Sequence, residues 1–114
     1  MNPTPTAKQL ARIPPLYSSE DVPTQEKVIH AHFFVGGCDW WVSEYDPKDG
    51  IFFGFCNLND PQNAEWGYAD FEKLKQVRVQ QKIKIGGAVM AFPVEVEFDR
   101  HWTPKMFKEI RFSR

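Results

Sequence analysis

Residues 40–55, WWVSEYDPKDGIFFGF, constrain the fold more than any other stretch of the chain. Two runs rich in aromatic and branched residues flank Pro47-Lys48-Asp49-Gly50, which places glycine where a turn needs a positive φ. That pattern reads as a β-hairpin. A four-residue loop pairs Asp46 with Ile51 and Glu44 with Phe53. Upstream, 27–34 alternates as a strand and runs into Gly36-Gly37, a second turn signal. A turn over 35–38 pairs Phe34 with Asp39 and His32 with Trp41. Directly opposed residues point to the same side of a sheet. One side then carries Ile29, Ala31, Phe33, Trp40, Val42, Glu44, Asp46, Ile51, Phe53 and Phe55. The other carries His30, His32, Phe34, Trp41, Ser43, Tyr45, Phe52, Gly54, Cys56 and Leu58. The first is the expected core, and the second is mixed and expected to stay partly open.

The rest of the chain extends this unit. Residues 1–15 hold four prolines and no hydrophobic period, and read as a flexible arm with one turn of helix within 6–13. A fourth strand is expected at 64–69. Asp70 is placed to cap a helix that begins at Phe71. Alternation marks strands at 77–85 and 89–99 on either side of Gly86-Gly87. Pro104 is suited to start a last helix with Met106, Phe107 and Ile110 as its apolar side. The expected fold is α+β, a single domain over 16–114. It has an antiparallel meander sheet of about five to six strands and one or two short helices.

At 114 residues the chain is long enough for one domain and too short for two. Its formal net charge of −1 argues against a strongly basic nucleic-acid binder and against an acidic DNA mimic. The charge is uneven. Residues 18–50 hold seven acids against two lysines, a net of −5, and residues 71–84 hold five bases against one acid, a net of +4. Cys38 and Cys56 are too few for a disulfide scaffold. The opening segment is polar and Pro-rich, and no apolar run approaches a membrane span. A cytoplasmic protein with free thiols is expected.

Four groups of residues are candidates for chemistry. His30 and His32 have the i, i+2 spacing of metal ligands, but the faces above put the carboxylates on the other side, so no metal or cofactor is expected. Glu44 and Asp46 are a weak candidate pair for acid–base work; solvated carboxylates near a hairpin end are the ordinary alternative. Lys73, Lys75, Arg78, Lys82 and Lys84, with Lys105, Lys108, Arg111 and Arg114, are candidates for a nucleic-acid groove, with Trp102 as a stacking platform. A solvated charged helix and strand is the usual explanation of such a set. Trp41 and Tyr45, with His30 and His32, are the candidate contacts of a protein partner. No helix-turn-helix, phosphate loop or zinc spacing is present.

The segments PPLYSSED, IHAHFFVGG, WWVSEYDPKDGIFFGF, LNDPQNAEWGY and VEFDRHWTPK occur in this order from Pro14 onward. This series resembles a bacterial family of small domains of unknown function carried on plasmids and integrative elements. The resemblance implies an α+β fold and a mobile-element setting, and it brings no activity and no functional residues. The chain is therefore expected to be a non-enzymatic accessory protein of a mobile element that binds a protein. The alternatives are a nucleic-acid module using 73–84 and a small hydrolase using Glu44 and Asp46. Partner and oligomeric state stay open.

Overall fold

The structure is a computed structural model that describes residues 1–110. Its centre is an antiparallel meander. The strands are β1 (Val28–Ile29), β2 (Ala31–Val35), β3 (Cys38–Asp46), β4 (Ile51–Leu58), β5 (Glu65–Asp70), β6 (Arg78–Ile85), β7 (Ala88–Glu95), β8 (Glu97–Phe98) and β9 (Lys105–Met106). The main sheet has the order β5-β4-β3-β2-β8, β1 pairs with β9, and β6 with β7 forms a separate ribbon. The helices are single turns, α1 (Ala7–Leu10) and α2 (Phe71–Leu74). The fold is thus mostly β, and the α+β expectation fits it only loosely.

The turn chemistry acts as expected. Gly36 and Gly50 adopt positive φ. Phe34 pairs with Asp39, His32 with Trp41, Glu44 with Phe53 and Asp46 with Ile51. Asp70 caps α2 by accepting from the backbone N–H of Glu72 and Lys73. Among the described residues no α-helix follows Pro104. Lys105 and Met106 instead pair with β1, and a 3-10 turn at Phe107–Glu109 follows. The Phe107 N–H donates to the Lys27 carbonyl at 2.8 Å, so this segment's backbone bonds go to the neighbouring strand.

The assignment of faces requires a correction. Val42 pairs with Gly54 but Glu44 pairs with Phe53, so Ser43 is an extra residue and β3 carries a bulge. Every side chain beyond the bulge changes sides relative to a flat strand. Tyr45 and Phe52 join Phe33, Trp40 and Val42, whereas Glu44 and Phe53 fall with His32 and Trp41. Gly54 permits the close approach this needs. A Cβ there would lie 2.0 Å from the Trp41 carbonyl oxygen, a backbone atom that cannot swing aside.

Two cores result. On one side Phe33, Phe52, Tyr45 and Phe71 pack ring to ring, with Tyr45 and Phe52 centroids 4.6 Å apart. Val96, Leu74 and Ile13 complete that core, so residues from the N-terminal segment lie in it. On the other side Ile29, Trp41 and Phe107 are buried beneath Phe55, Trp66, Trp102 and Ile110. Beyond its root at Val79 and Val94, which pack against the first core, the ribbon lies outside both cores, and the molecule measures 53 × 29 × 23 Å.

Candidate functional site

His32 sits on β2 with both ring nitrogens committed. Nε2 faces Asp39 Oδ1 at 2.8 Å and Nδ1 faces Asp99 Oδ2 at 3.4 Å. Its ring lies nearly parallel to Trp41 at 5.5 Å and also touches Phe34 and Trp102. Asp39 is fully buried, and the imidazole is the polar partner that offsets taking its carboxylate out of water. An imidazole held this way fastens β2, β3 and the 99–102 loop, and neither nitrogen is directed at a ligand. The bulge brings Glu44 to the side of the sheet that His32 faces, so opposed faces do not separate them. Distance along β3 does, at roughly 10 Å from Trp41 to Glu44. Among the described residues no three His, Cys, Asp or Glu side chains are grouped to hold a metal ion.

His30 lies at the break between β1 and β2, where its N–H donates to the Val42 carbonyl. It lines a cleft of about 210 Å³ with Arg12, Asp99, Arg100 and Trp102. Burial lowers its pKa below the ordinary 6.5. The unfolded chain therefore binds more protons than the folded one just below that value, and stability falls as the pH falls through it. Denaturation from about pH 7.5 to about pH 5.5 should show a decline that His30→Gln makes shallower. An identical decline in both proteins would mean that His30 is solvated.

Glu44 and Asp46 are each engaged with backbone. Glu44 is 3% exposed and accepts from the N–H of Tyr17 at 2.8 Å, the N–H of Ser19 at 3.0 Å and the Ser19 hydroxyl. Lys27, also buried, donates to the Ser19 carbonyl and hydroxyl. These contacts hold the 17–19 segment with Tyr17 at a φ of +70°, a conformation uncommon for a side chain of that size. Asp46 accepts the Lys48 N–H and shapes the hairpin turn. Neither carboxylate faces the other across a cleft, as acid–base hydrolysis requires.

The proposed protein contacts lie inside. Trp41 is 3% exposed and Tyr45 6%, so neither is presented to a partner. Tyr45 is buried because the bulge turned it inward. Trp41 is buried because Phe107 and Trp102 fold back over it from late in the chain. Half of the large exposed apolar residues lie on the ribbon, Ile83, Ile85, Val89, Met90 and Phe92, and the others, among them Tyr17, Leu58 and Tyr68, are spread over the body. The alternation of 77–85 signalled that strand, but its facing pairs emerge only from the β6–β7 register. Ile83 opposes Met90, Gln81 opposes Phe92 and Ile85 opposes Ala88, which forms one apolar face. Arg78, Gln80, Lys82 and Lys84 occupy the other face.

The basic set divides in the same way. Lys75 pairs with Glu72 at 2.8 Å and Arg78 with Glu95 at 3.0 Å, whereas Lys82 and Lys84 project from the ribbon. Lys73 lies on α2, beside rather than on the ribbon. Trp102 is not an open stacking platform. It contacts His32, has the Lys105 ammonium 4.5 Å from its ring centre and donates its indole N–H to the Ile29 carbonyl. Arg111 and Arg114 lie outside the described residues. Both cysteines are free. Cys38 pairs with Leu58 and Cys56 with Trp40, each one residue from the flat-sheet expectation, and burial with nearby Glu65 pushes the Cys56 thiol up to about 11. No helix among the described residues is long and apolar enough to cross a membrane.

Neither the curated proteins nor the solved structures contain a significant match. A family model described as "Protein of unknown function (DUF2958)" matches residues 9–103, which include the whole meander, the ribbon and the His32–Asp39–Asp99 cluster, and the chain belongs to that family.

Proposed function

We propose that this chain is a non-enzymatic protein-binding module whose contact device is the β6–β7 ribbon. The observation that carries the reading is the apolar face of Ile83, Ile85, Met90 and Phe92, exposed on a two-stranded ribbon outside both cores. An isolated hairpin of this kind is marginal in water, and an apolar patch of that extent marks a contact surface. The carboxylates and His32 are absorbed in structural bonds, which further favours binding over catalysis. An accessory role on a mobile element belongs to the same reading and comes from the family resemblance, and a cytoplasmic setting comes from the two free thiols and the polar opening segment.

The second reading, nucleic-acid binding, draws on the row of Arg78, Lys82 and Lys84 along the opposite face. A photo-reactive residue at Phe92, irradiated in host cells, separates the two. Protein adducts that Met90→Asp abolishes are the expected result. Adducts to nucleic acid alone would favour the second reading, provided that duplex binding falls steeply with salt and is lost in a Lys82→Gln, Lys84→Gln variant.

A further inference from the structure

The ribbon's apolar row runs outward from the protein body. From root to tip the opposed pairs are Val79 with Val94, Gln81 with Phe92, Ile83 with Met90 and Ile85 with Ala88. Val79 and Val94 pack against the core cluster that contains Trp40 and Leu74, so the row begins half-buried and becomes exposed. Beside that root, Cys38, Trp40, Leu58, Leu74 and Val77 border an apolar groove of about 390 Å³. Leu58, at its edge, is 63% exposed.

We infer that one occupant covers both surfaces, a second copy of this chain. The two ribbons stack apolar face on apolar face and run antiparallel about a twofold axis, with each tip seated at the other's groove. The inference rests on the protein-binding reading and names the partner. Each strand of the ribbon has eight residues and spans roughly 26 Å. Antiparallel stacking therefore carries Ile85 of one copy to the root of the other, where the groove lies. A twofold interface must be self-complementary, and this chain supplies both the tip and its receptor. Lys82 and Lys84 lie on the opposite face of the ribbon, so stacking does not bring the two ribbons' lysines together, and at the groove Lys73 is accompanied by Asp70. Gln81, the polar member of the row, falls near the axis, where its amide can meet its own copy and set the register. The two ribbon faces and two grooves together offer on the order of 1,000 Å², the scale of a specific interface.

The full chain should sediment at twice its 13.3 kDa mass in the micromolar range. Ile85→Asp and Met90→Asp, both at exposed positions, should each raise the dimer dissociation constant by at least ~30-fold without loss of thermal cooperativity. A short bis-maleimide should join Ile85→Cys to Cys38 of the second copy. The length of the ribbon keeps these sites too far apart within one chain, and Cys38→Ser should abolish the product. A dimer indifferent to both Asp variants and yielding no such cross-link overturns the arrangement. A chain that stays monomeric, yet gives Phe92 protein adducts lost in Met90→Asp, overturns the second copy and leaves the protein-binding reading standing. A monomer without protein adducts that binds duplex DNA through Lys82 and Lys84 overturns both.

Discussion

Phe33→Ala should cost about 3–5 kcal/mol, the largest loss expected from any single truncation in this chain. Phe33 is fully buried and lies at the crossing of the main core, with ring centroids 5.3 Å from Phe52, 6.0 Å from Phe71 and 5.4 Å from Phe98. These rings come from β4, α2 and β8, so one truncation loosens three elements at once. A domain of this size has about 5–15 kcal/mol in total, and the variant should melt roughly 15–30 °C lower if it folds at all. Urea denaturation and thermal melts give the measurement. A loss below about 1 kcal/mol would mean that the four rings do not share one core.

Glu44→Ala should follow, at about 2–4 kcal/mol. The carboxylate answers two backbone N–H groups and a hydroxyl at a site only 3% exposed, at the wall of a small cleft shared with Tyr17, Lys27 and Tyr68. Its removal leaves those donors without a protein acceptor and leaves the buried Lys27 beside them, both costly where little water has access. Glu44→Gln keeps one carbonyl acceptor and should lose about half as much. The Tyr17 and Ser19 N–H groups both bond to this carboxylate, so chymotryptic cleavage after Tyr17 should speed up in the alanine variant. Unchanged cleavage together with unchanged stability would mean that the turn holds itself. Because these effects appear in the melting curve, they also set Glu44 apart from a catalytic carboxylate, whose loss leaves stability unchanged or raised.

The sequence made the hairpins legible and the sheet's faces only half legible. Pro47-Lys48-Asp49-Gly50 and Gly36-Gly37 carry strong turn chemistry, and the four pairings drawn from them are all present. The β3–β4 ladder itself shifts by one residue between Val42 and Glu44, where Ser43 is the bulge. Serine does not announce a bulge. The available signal was Gly54, a glycine inside an otherwise aromatic strand, which marks close backbone approach. Missing it put Tyr45 outside and Glu44 in the wrong company. The burial of Trp41 was illegible for another reason, since its cover comes from Trp102 and Phe107, more than sixty residues later. Alternation and Gly86-Gly87 disclosed the ribbon's strands. Their separation from the main sheet is a tertiary fact that no local period contains.

The projecting ribbon also governs how the molecule moves through solution. Its Cα radius of gyration is 15.1 Å, against about 13 Å for a compact chain of this length. Friction follows the long 53 Å axis rather than the mass. A single copy should therefore leave a sizing column ahead of a compact 13.3 kDa standard. Tumbling about that axis is faster than end over end, so amide relaxation rates in β6 and β7 will depend on the direction in which each N–H bond points.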